Sequence, residues 1–350
     1  MAGQREDTKR ATVLDQFQRP LYDLRVSVTD RCNFRCDYCM PKEIYSDERR
    51  FLKAQELLSF DEITRVVSVA ARDLGVRKLR LTGGEPLLRP NLTSLIARLA
   101  ETRLLQEITL TTNGFLLAEH AQQLKAAGLD RITISLDSVD ADQFVLMSGG
   151  VAGLDRVLSG ITAATKAGFA SIKINCVVMR GRNEDAILAL AQRFRGTPHV
   201  VRFIEYMDVG TQNTWRARDV VSAKDILARI EERWPLEPLP AHYAGEVARR
   251  YRYHDGAGEI GVITSVSDPF CGQCQRARLS ADGRLLTCLF AVDGVALKPL
   301  LRASDPDPED KKLRELMCDS WRARSDRYSQ ERKQLVHKPR RRLEMYQVGG

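Results

Sequence analysis

Residues 24–41 read Leu24-Arg25-Val26-Ser27-Val28-Thr29-Asp30-Arg31-Cys32-Asn33-Phe34-Arg35-Cys36-Asp37-Tyr38-Cys39-Met40-Pro41, an apolar strand-like run opening into a loop with the cysteine spacing C-x3-C-x2-C. Three thiolates from one loop hold three corners of a 4Fe-4S cube and leave the fourth iron without a protein ligand. A zinc knot is the alternative, but it closes with four Cys or His ligands, and no histidine or further cysteine lies within a dozen residues.

Outward from this loop, strand-like runs recur at Lys78–Leu81, Glu107–Leu110, Arg131–Ser135, Ser171–Val178 and Val200–Ile204. Helix-period segments separate them, at Phe60–Asp73, Leu92–Glu101, Ala118–Ala127, Gly153–Ala167 and Glu184–Arg195. Asp61 and Glu62 in a first turn, and Gly75, Gly128 and Gly168 past helix ends, supply start and stop chemistry. Strict alternation builds a parallel sheet with helices outside. The fold class is α/β, and six units predict an open, partial (β/α) barrel. Loops at the carboxyl ends of such strands converge on one face, which places the cysteine loop, Gly83-Gly84-Glu85-Pro86, Thr111-Thr112-Asn113-Gly114, Ser135-Leu136-Asp137 and Met207 together. The glycines let backbone groups approach a ligand closely; an ordinary Gly-Pro turn is the plainer reading.

A second cysteine set, Cys271-x2-Cys274-x13-Cys288, lies more than two hundred residues away, so two sets predict two cofactors. By spacing alone it is compatible with half a zinc ribbon closed by a distant ligand, or with a site that stays open. Cys176 and Cys318 are isolated and read as small buried hydrophobes. With 350 residues and 43% hydrophobic content the chain makes a sizeable core. It shows no run of about 18 apolar residues and no secretory signal, which predicts a cytoplasmic enzyme whose eight cysteines are ligands or free thiols. The expected organisation is an extension at 1–20, the barrel at 21–220 and a carboxyl-terminal region at 221–350.

The cysteine loop, with an aromatic before its last cysteine, resembles the radical S-adenosylmethionine superfamily. Further stretches narrow the resemblance: RLTGGEPLLR, ITLTTNG, RITISLDS, KINCVVMRG, VRFIEYMDVG, FCGQCQRARLSADGRLLTCLF and the terminal Gly349-Gly350. In this order and spacing, from about residue 14 to the end, they are similar to the GTP 3',8-cyclase family of molybdenum cofactor biosynthesis.

That resemblance implies a partial six-unit barrel closed by a carboxyl-terminal region with a second iron-sulfur cluster. Cys32, Cys36 and Cys39 would hold the cluster that cleaves S-adenosylmethionine to a 5'-deoxyadenosyl radical, with Tyr38, Gly84, Ser135 and Met207 around that cofactor. Cys271, Cys274 and Cys288 would hold a second 4Fe-4S cluster facing the guanine of GTP. Arg25, Arg80, Thr111, Lys173, Arg276 and Arg278 match GTP-binding positions, with Lys78 and Arg202 as further triphosphate contacts. Gly349 and Gly350 would enter the active site, where Arg276 and Arg278 also act. Radical attack of ribose C3' on guanine C8 would give 3',8-cyclo-7,8-dihydro-GTP. The expected partners are GTP, the cyclic pyranopterin monophosphate synthase that takes the product and an electron donor, with a homodimer possible.

Guanidinium forks suit phosphate oxygens, although in a chain with 54 basic residues any single arginine is more often a solvated one. Residues 311–350 hold twelve Lys or Arg against five Asp or Glu, almost the whole net charge of +8. Arg322, Arg324 and Arg327 read as a solvated helical face, Arg340, Arg341 and Arg342 lie near the terminal glycines, and no recognised nucleic-acid module is present. Neither a nucleic acid nor a membrane partner is expected. Two segments depart from the family pattern, the glycine-rich Met147–Gly153 and Asp305–Glu309, and neither is expected to touch a motif residue. The rivals are another radical S-adenosylmethionine enzyme, such as a peptide-modifying maturase, and a zinc-dependent nucleic-acid-binding module.

Overall fold

The computed structural model of the chain describes residues 12–41, 51–304, 309–335 and 343–349. Gly350, Arg340, Arg341, Arg342 and positions 305–308 of the second departing segment lie outside them. The expected alternation is present as β1 (Asp23–Ser27), α1 (Phe60–Asp73), β2 (Lys78–Thr82), α2 (Leu92–Glu101), β3 (Glu107–Thr112), α3 (Leu117–Ala126) and β4 (Arg131–Ser135). It continues through α4 (Ala141–Met147), α5 (Leu154–Lys166), β5 (Lys173–Val178), α6 (Ala186–Phe194) and β6 (Val200–Glu205). Helix α4 is the addition. At seven residues it is too short for a helical period to register, and what starts it is Asp140, whose carboxylate accepts from the Gln143 amide at 2.9 Å.

Local chemistry sets the boundaries. Ser59 and Glu62 form a reciprocal cap on α1, with Glu62 N donating to Ser59 Oγ at 3.1 Å and Ser59 N to Glu62 Oε2 at 2.6 Å. The helix then buries Ile63, Val66, Val67 and Ala70 against the sheet.

The rest of the chain contributes α7 (Ala223–Glu231), β7 (Leu236–Leu239), β8 (Arg249–Tyr253), β9 (Glu259–Ile263), β10 (Arg276–Leu279), β11 (Arg284–Leu286) and β12 (Val295–Ala296). Helices α8 (Lys298–Leu301), α9 (Lys311–Arg322), α10 (Tyr328–Leu335) and α11 (Met345–Val348) complete it. All strands join one sheet in the order β12-β11-β10-β1-β2-β3-β4-β5-β6-β9-β8-β7. The six-unit parallel core is therefore longer than six strands: β10 adds in parallel beside β1 and β9 beside β6, and antiparallel strands follow at both edges.

Alternation within the strands decides what the sheet encloses. In β2, Lys78, Arg80 and Thr82 face a cavity while Leu79 and Leu81 pack on the helices. The same division separates Asp23 and Arg25 from Leu24 and Val26, and Lys173 and Asn175 from Ile174 and Cys176. A flat sheet would spread β10 to β6 over about 29 Å, six strand spacings of ~4.8 Å. Yet side chains from all these strands line one cavity, of about 300 Å³, and Arg80 of β2 donates to Thr133 of β4 at 3.2 Å. The sheet is thus curled around a polar interior, where a closed barrel of this family of folds is filled with branched apolar residues.

Candidate active site

Strand pairing places the two cysteine sets at opposite mouths of this interior. β1 and β10 run parallel, with Asp23 beside Arg276 and Arg25 beside Arg278. Cys32, Cys36 and Cys39 follow the end of β1, whereas Cys271 and Cys274 precede the start of β10. At ~3.3 Å per residue the strand between them separates the mouths by roughly 15 Å. The loops after the barrel strands gather at the carboxyl-end face, and the second set and its arginines sit at the other end, because β10 enters the sheet parallel to β1.

At the first mouth all three thiols line the cavity and none is in a disulfide. Burial pushes the Cys32 thiol up to about 12, with the Glu85 carboxylate adding to it. Cys36 and Cys39 are raised by burial as well, Cys36 further by Asp137 and both by neighbouring thiols. A buried trio of thiols whose ionised forms would repel one another with little cationic support suits a site meant to be neutralised by soft metal, and the donor set fits an iron-sulfur cluster. Tyr38 donates to Asp137 at 2.7 Å, Asp137 accepts from Val177 N at 2.8 Å, and Met147, Met179 and Tyr206 pack around the ring. Gly84, Ser135 and Met207 line the same space. The glycine pair has a second reason to exist: a Cβ at Gly83 would stand 2.4 Å from the Thr29 carbonyl oxygen, and one at Gly84 would stand 2.2 Å from that of Arg31. Close approach is to the cysteine loop itself, sealed by Gly84 N donating to Thr29 O at 2.8 Å. Buried Glu85, raised to about 7 by burial, accepts from Leu87 N, Thr112 Oγ1 and Asn113 N and joins this turn to the one after β3.

The Met147–Gly153 segment was not expected to touch a motif residue, and it does. Arg35 N, between two of the cysteines, donates to Ser148 O at 2.9 Å, and a Cβ at Gly149 (φ 75°) would lie 2.1 Å from Arg35 O. Gly149 is there because the turn lies against the cysteine loop, whereas Gly153 makes room for the Phe115 ring.

Between the mouths the walls are cationic: Arg25, Lys78, Arg80, Lys173, Arg202 and Arg278 all line the cavity. Arg80 bonds Thr111 at 3.1 Å, Lys78 pairs with Glu107 at 2.9 Å, and Arg202 donates to Asn175 at 2.9 Å. Burial and like charges press on these groups. Lys173 is brought down to about 7 by burial and then by Arg202, Arg131 and Lys78, and Arg202 to about 9 by burial and then by Arg80 and Arg131. A concentration of desolvated cations is complementary to a polyanion.

At the second mouth Arg276 Nη2 donates to Cys274 Sγ at 3.4 Å. Burial pushes the Cys274 thiol up, but Arg276 and Arg324 together outweigh it and bring it down to about 6. Cys288, raised by burial to about 12, and Cys271 complete the set on the cavity wall. Three soft donors around a thiolate-stabilising arginine again fit a cluster. Among the described residues no three His, Cys, Asp or Glu side chains are gathered to hold a single metal ion. Arg324 is not on a solvated face, as its helical context predicted. It is 3% exposed, donates to Cys274 O at 2.7 Å and pairs with Asp15, which also binds Arg19, and Arg19 donates to Cys271 O at 2.7 Å. Asp15 and Arg19 thus brace the second cysteine loop from the amino-terminal end of the chain. Cys176 and Cys318 are buried, as expected of them.

Gly349 does not line the cavity. It packs against Ser27 and Thr82 at the ends of β1 and β2, and Arg278 donates to its carbonyl and, at 3.0 Å, to that of Val348. The sequence reading missed Asp23, Tyr243 and Glu246, which share the cavity wall with the cations. Only the period of β1, with Asp23 two residues before Arg25, pointed to the first of them.

The Radical SAM superfamily matches residues 26–194, and Molybdenum Cofactor Synthesis C matches residues 199–330. The chain is 50% identical over 344 residues to the GTP 3',8-cyclase of Xanthomonas campestris pv. campestris (strain 8004), covering 98% of this chain and 99% of that protein. It is 52% identical over 319 residues to the GTP 3',8-cyclase of Acidothermus cellulolyticus, covering 91% and 88%, and 45% identical over 341 residues to that of Staphylococcus aureus (strain bovine RF122 / ET3-1), covering 97% and 99%. Among solved structures, Streptococcus suis SuiB bound to S-adenosylmethionine aligns with a TM-score of 0.53 at 13% identity, over 87% of this chain and 65% of that one, a likeness of fold.

Proposed function

This chain belongs to the GTP 3',8-cyclase family, and from that premise we propose how its residues divide the family's reaction between the two mouths of the cavity. It is a radical S-adenosylmethionine lyase that converts GTP to (8S)-3',8-cyclo-7,8-dihydroguanosine 5'-triphosphate, the first step of molybdenum cofactor biosynthesis. Its cofactors are S-adenosylmethionine and two 4Fe-4S clusters. When bound, these supply the 5'-deoxyadenosyl radical and the electron that the protein's own groups cannot.

In our reading Cys32, Cys36 and Cys39 hold one cluster and Cys271, Cys274 and Cys288 the other. Tyr38, Gly84, Ser135 and Met207 border S-adenosylmethionine. Lys78, Arg80, Lys173 and Arg202 take the triphosphate, with Arg25, Thr111, Arg276 and Arg278 nearer the remainder of GTP. The observation that carries the reading is the shared cavity, with a cysteine set at each end and desolvated cations between them. Such walls orient a polyanion and exclude water from a reactive radical. The Arg278 contact with the Val348 and Gly349 carbonyls supports a terminal tail that closes on the site.

No helix among the described residues is long and apolar enough to cross a membrane. We further propose a cytoplasmic enzyme in three parts, 1–20, 21–220 and 221–350, that takes electrons from a separate donor and yields its product to a cyclic pyranopterin monophosphate synthase; a homodimer is compatible with it. Anaerobic reconstitution tests the whole reading: about eight irons per chain, from two cubes of four, and formation of the cyclic nucleotide from GTP and S-adenosylmethionine are expected. Zinc without iron, or 5'-deoxyadenosine without a GTP-derived product, would overturn it.

A further inference from the structure

Five carboxylates stand on the cavity wall: Asp23, Glu85, Asp137, Glu246 and Asp326. Four of them are spent on the protein. Glu85 holds two backbone amides and Thr112, Asp137 holds Tyr38 and Val177 N, Glu246 accepts from His242, and Asp326 accepts from Thr287 at 2.5 Å. Asp23 is different. Its Oδ1 is buried without a hydrogen-bond partner among the described residues, on a wall otherwise dominated by Arg25, Arg80, Arg276 and Arg278. An unmade acceptor in a desolvated place is destabilising unless a ligand completes it.

The rest of the argument is chemical and rests on GTP being the substrate. The triphosphate is repelled by a carboxylate, so the part of GTP that meets Asp23 must donate hydrogen bonds. The donors are the ribose hydroxyls and the guanine edge with its 2-amino group. Asp23 stands beside Arg276 in the β1–β10 register, and Arg276 touches Cys274. Lys78 of β2 is the neighbour of Asp23 on the other side, whereas Lys173 of β5 and Arg202 of β6 lie further round the curl. With the phosphate end toward β5 and β6, the base is the part that reaches β1 and β10. We infer that Asp23 is a specificity residue whose carboxylate accepts the 2-amino group of guanine.

The plainer role for Asp23 is a counter-charge for its arginine neighbours, and the test separates the two. Reconstituted enzyme is titrated calorimetrically with GTP, with ITP, which lacks only the 2-amino group, and with 2'-deoxy-GTP. Wild type is expected to bind GTP about 10- to 100-fold more tightly than ITP, the effect of one charge-assisted hydrogen bond. Asp23→Ala should shrink that preference to about threefold or less while leaving the GTP to 2'-deoxy-GTP ratio as it was. Asp23→Asn keeps the shape of the side chain and should give the same direction if the alanine variant loads iron poorly. A preference for GTP over ITP that survives both substitutions overturns the inference, as does an equal loss for both nucleotides, which is the counter-charge result. A collapse of the 2'-deoxy ratio instead moves the contact to the ribose and also overturns it. Failure of wild type to bind GTP at all would sink the cyclase reading, a separate outcome.

Discussion

Arg278 donates a hydrogen bond to the Val348 carbonyl at 3.0 Å, so a residue in the middle of β10 fixes the last helical turn of the chain. The docking has no room for a side chain at the next position. A Cβ on Gly349, where φ is 71°, would lie 2.2 Å from Thr82 Cγ2. Gly349→Ala therefore meets both overlap and a left-handed backbone penalty of roughly 1–2 kcal/mol. The expected outcome is an undocked tail: carboxypeptidase digestion at least about tenfold faster, lower cyclisation and unchanged iron content. Equal digestion rates in wild type and variant would show that the tail accommodates the methyl group.

Placing the cysteine sets at opposite mouths predicts separable losses. Cys32→Ala, Cys36→Ala or Cys39→Ala should lower iron to about four per chain and abolish 5'-deoxyadenosine. Cys274→Ala should also leave about four irons, retain cleavage of S-adenosylmethionine without GTP and lose the GTP product. Product formation by Cys274→Ala at half iron loading would show that the second mouth is dispensable.

What the sequence revealed, and what it hid, follows the range of the interactions. Runs such as Lys78-Leu79-Arg80-Leu81 declare a strand because alternation is local, and Asp61 with Glu62 declares a helix start within one turn. The cysteine spacings are local too. The end of the interior at which the second set lies depends on β10 pairing with β1, across more than 250 positions, with nothing in either strand to name its partner. Arg324 looked solvated because its partners, Asp15 and the Cys274 carbonyl, are 309 and 50 residues away. The contact of the Met147–Gly153 segment with the cysteine loop was hidden for the same reason, since Arg35, the neighbour that Gly149 makes room for, lies more than a hundred residues away.

That contact leads to a third prediction. Adding a methyl group at Gly149 sets a Cβ 2.1 Å from the Arg35 carbonyl oxygen, and the backbone there has φ 75°. Backbone cannot yield as a flexible side chain does, so the turn must move away from the loop that carries Cys32 and Cys36. Gly149→Ala should cost at least about 1–2 kcal/mol of stability and reduce iron retention at the first site more than at the second. Cluster-resolved electron paramagnetic resonance on the reduced protein would read this, and an unaltered first-site signal would sink the idea that the turn braces the loop.

Lys173 gives a prediction in pH. Burial, with Arg202, Arg131 and Lys78 around it, brings its ammonium group down to about 7, so in the free protein it is charged below that pH and neutral above it. A bound triphosphate favours the charged form and raises the pKa again. By linkage, GTP binding above pH 7 must take up protons, and affinity must fall as pH rises through the free-protein value. At pH 8 the γ-phosphate is already ionised, which leaves the protein as the source of the effect. Calorimetry in buffers of different ionisation enthalpy should then report uptake approaching one proton per GTP. Between pH 6 and 8.5 the affinity should drop by about tenfold, close to the value of one charge-assisted contact. Lys173→Arg, charged throughout, should flatten the profile near its acid-side affinity and remove the uptake, whereas Lys173→Met should flatten it at the weaker level. Undiminished proton uptake by the arginine variant would assign the titration to another group.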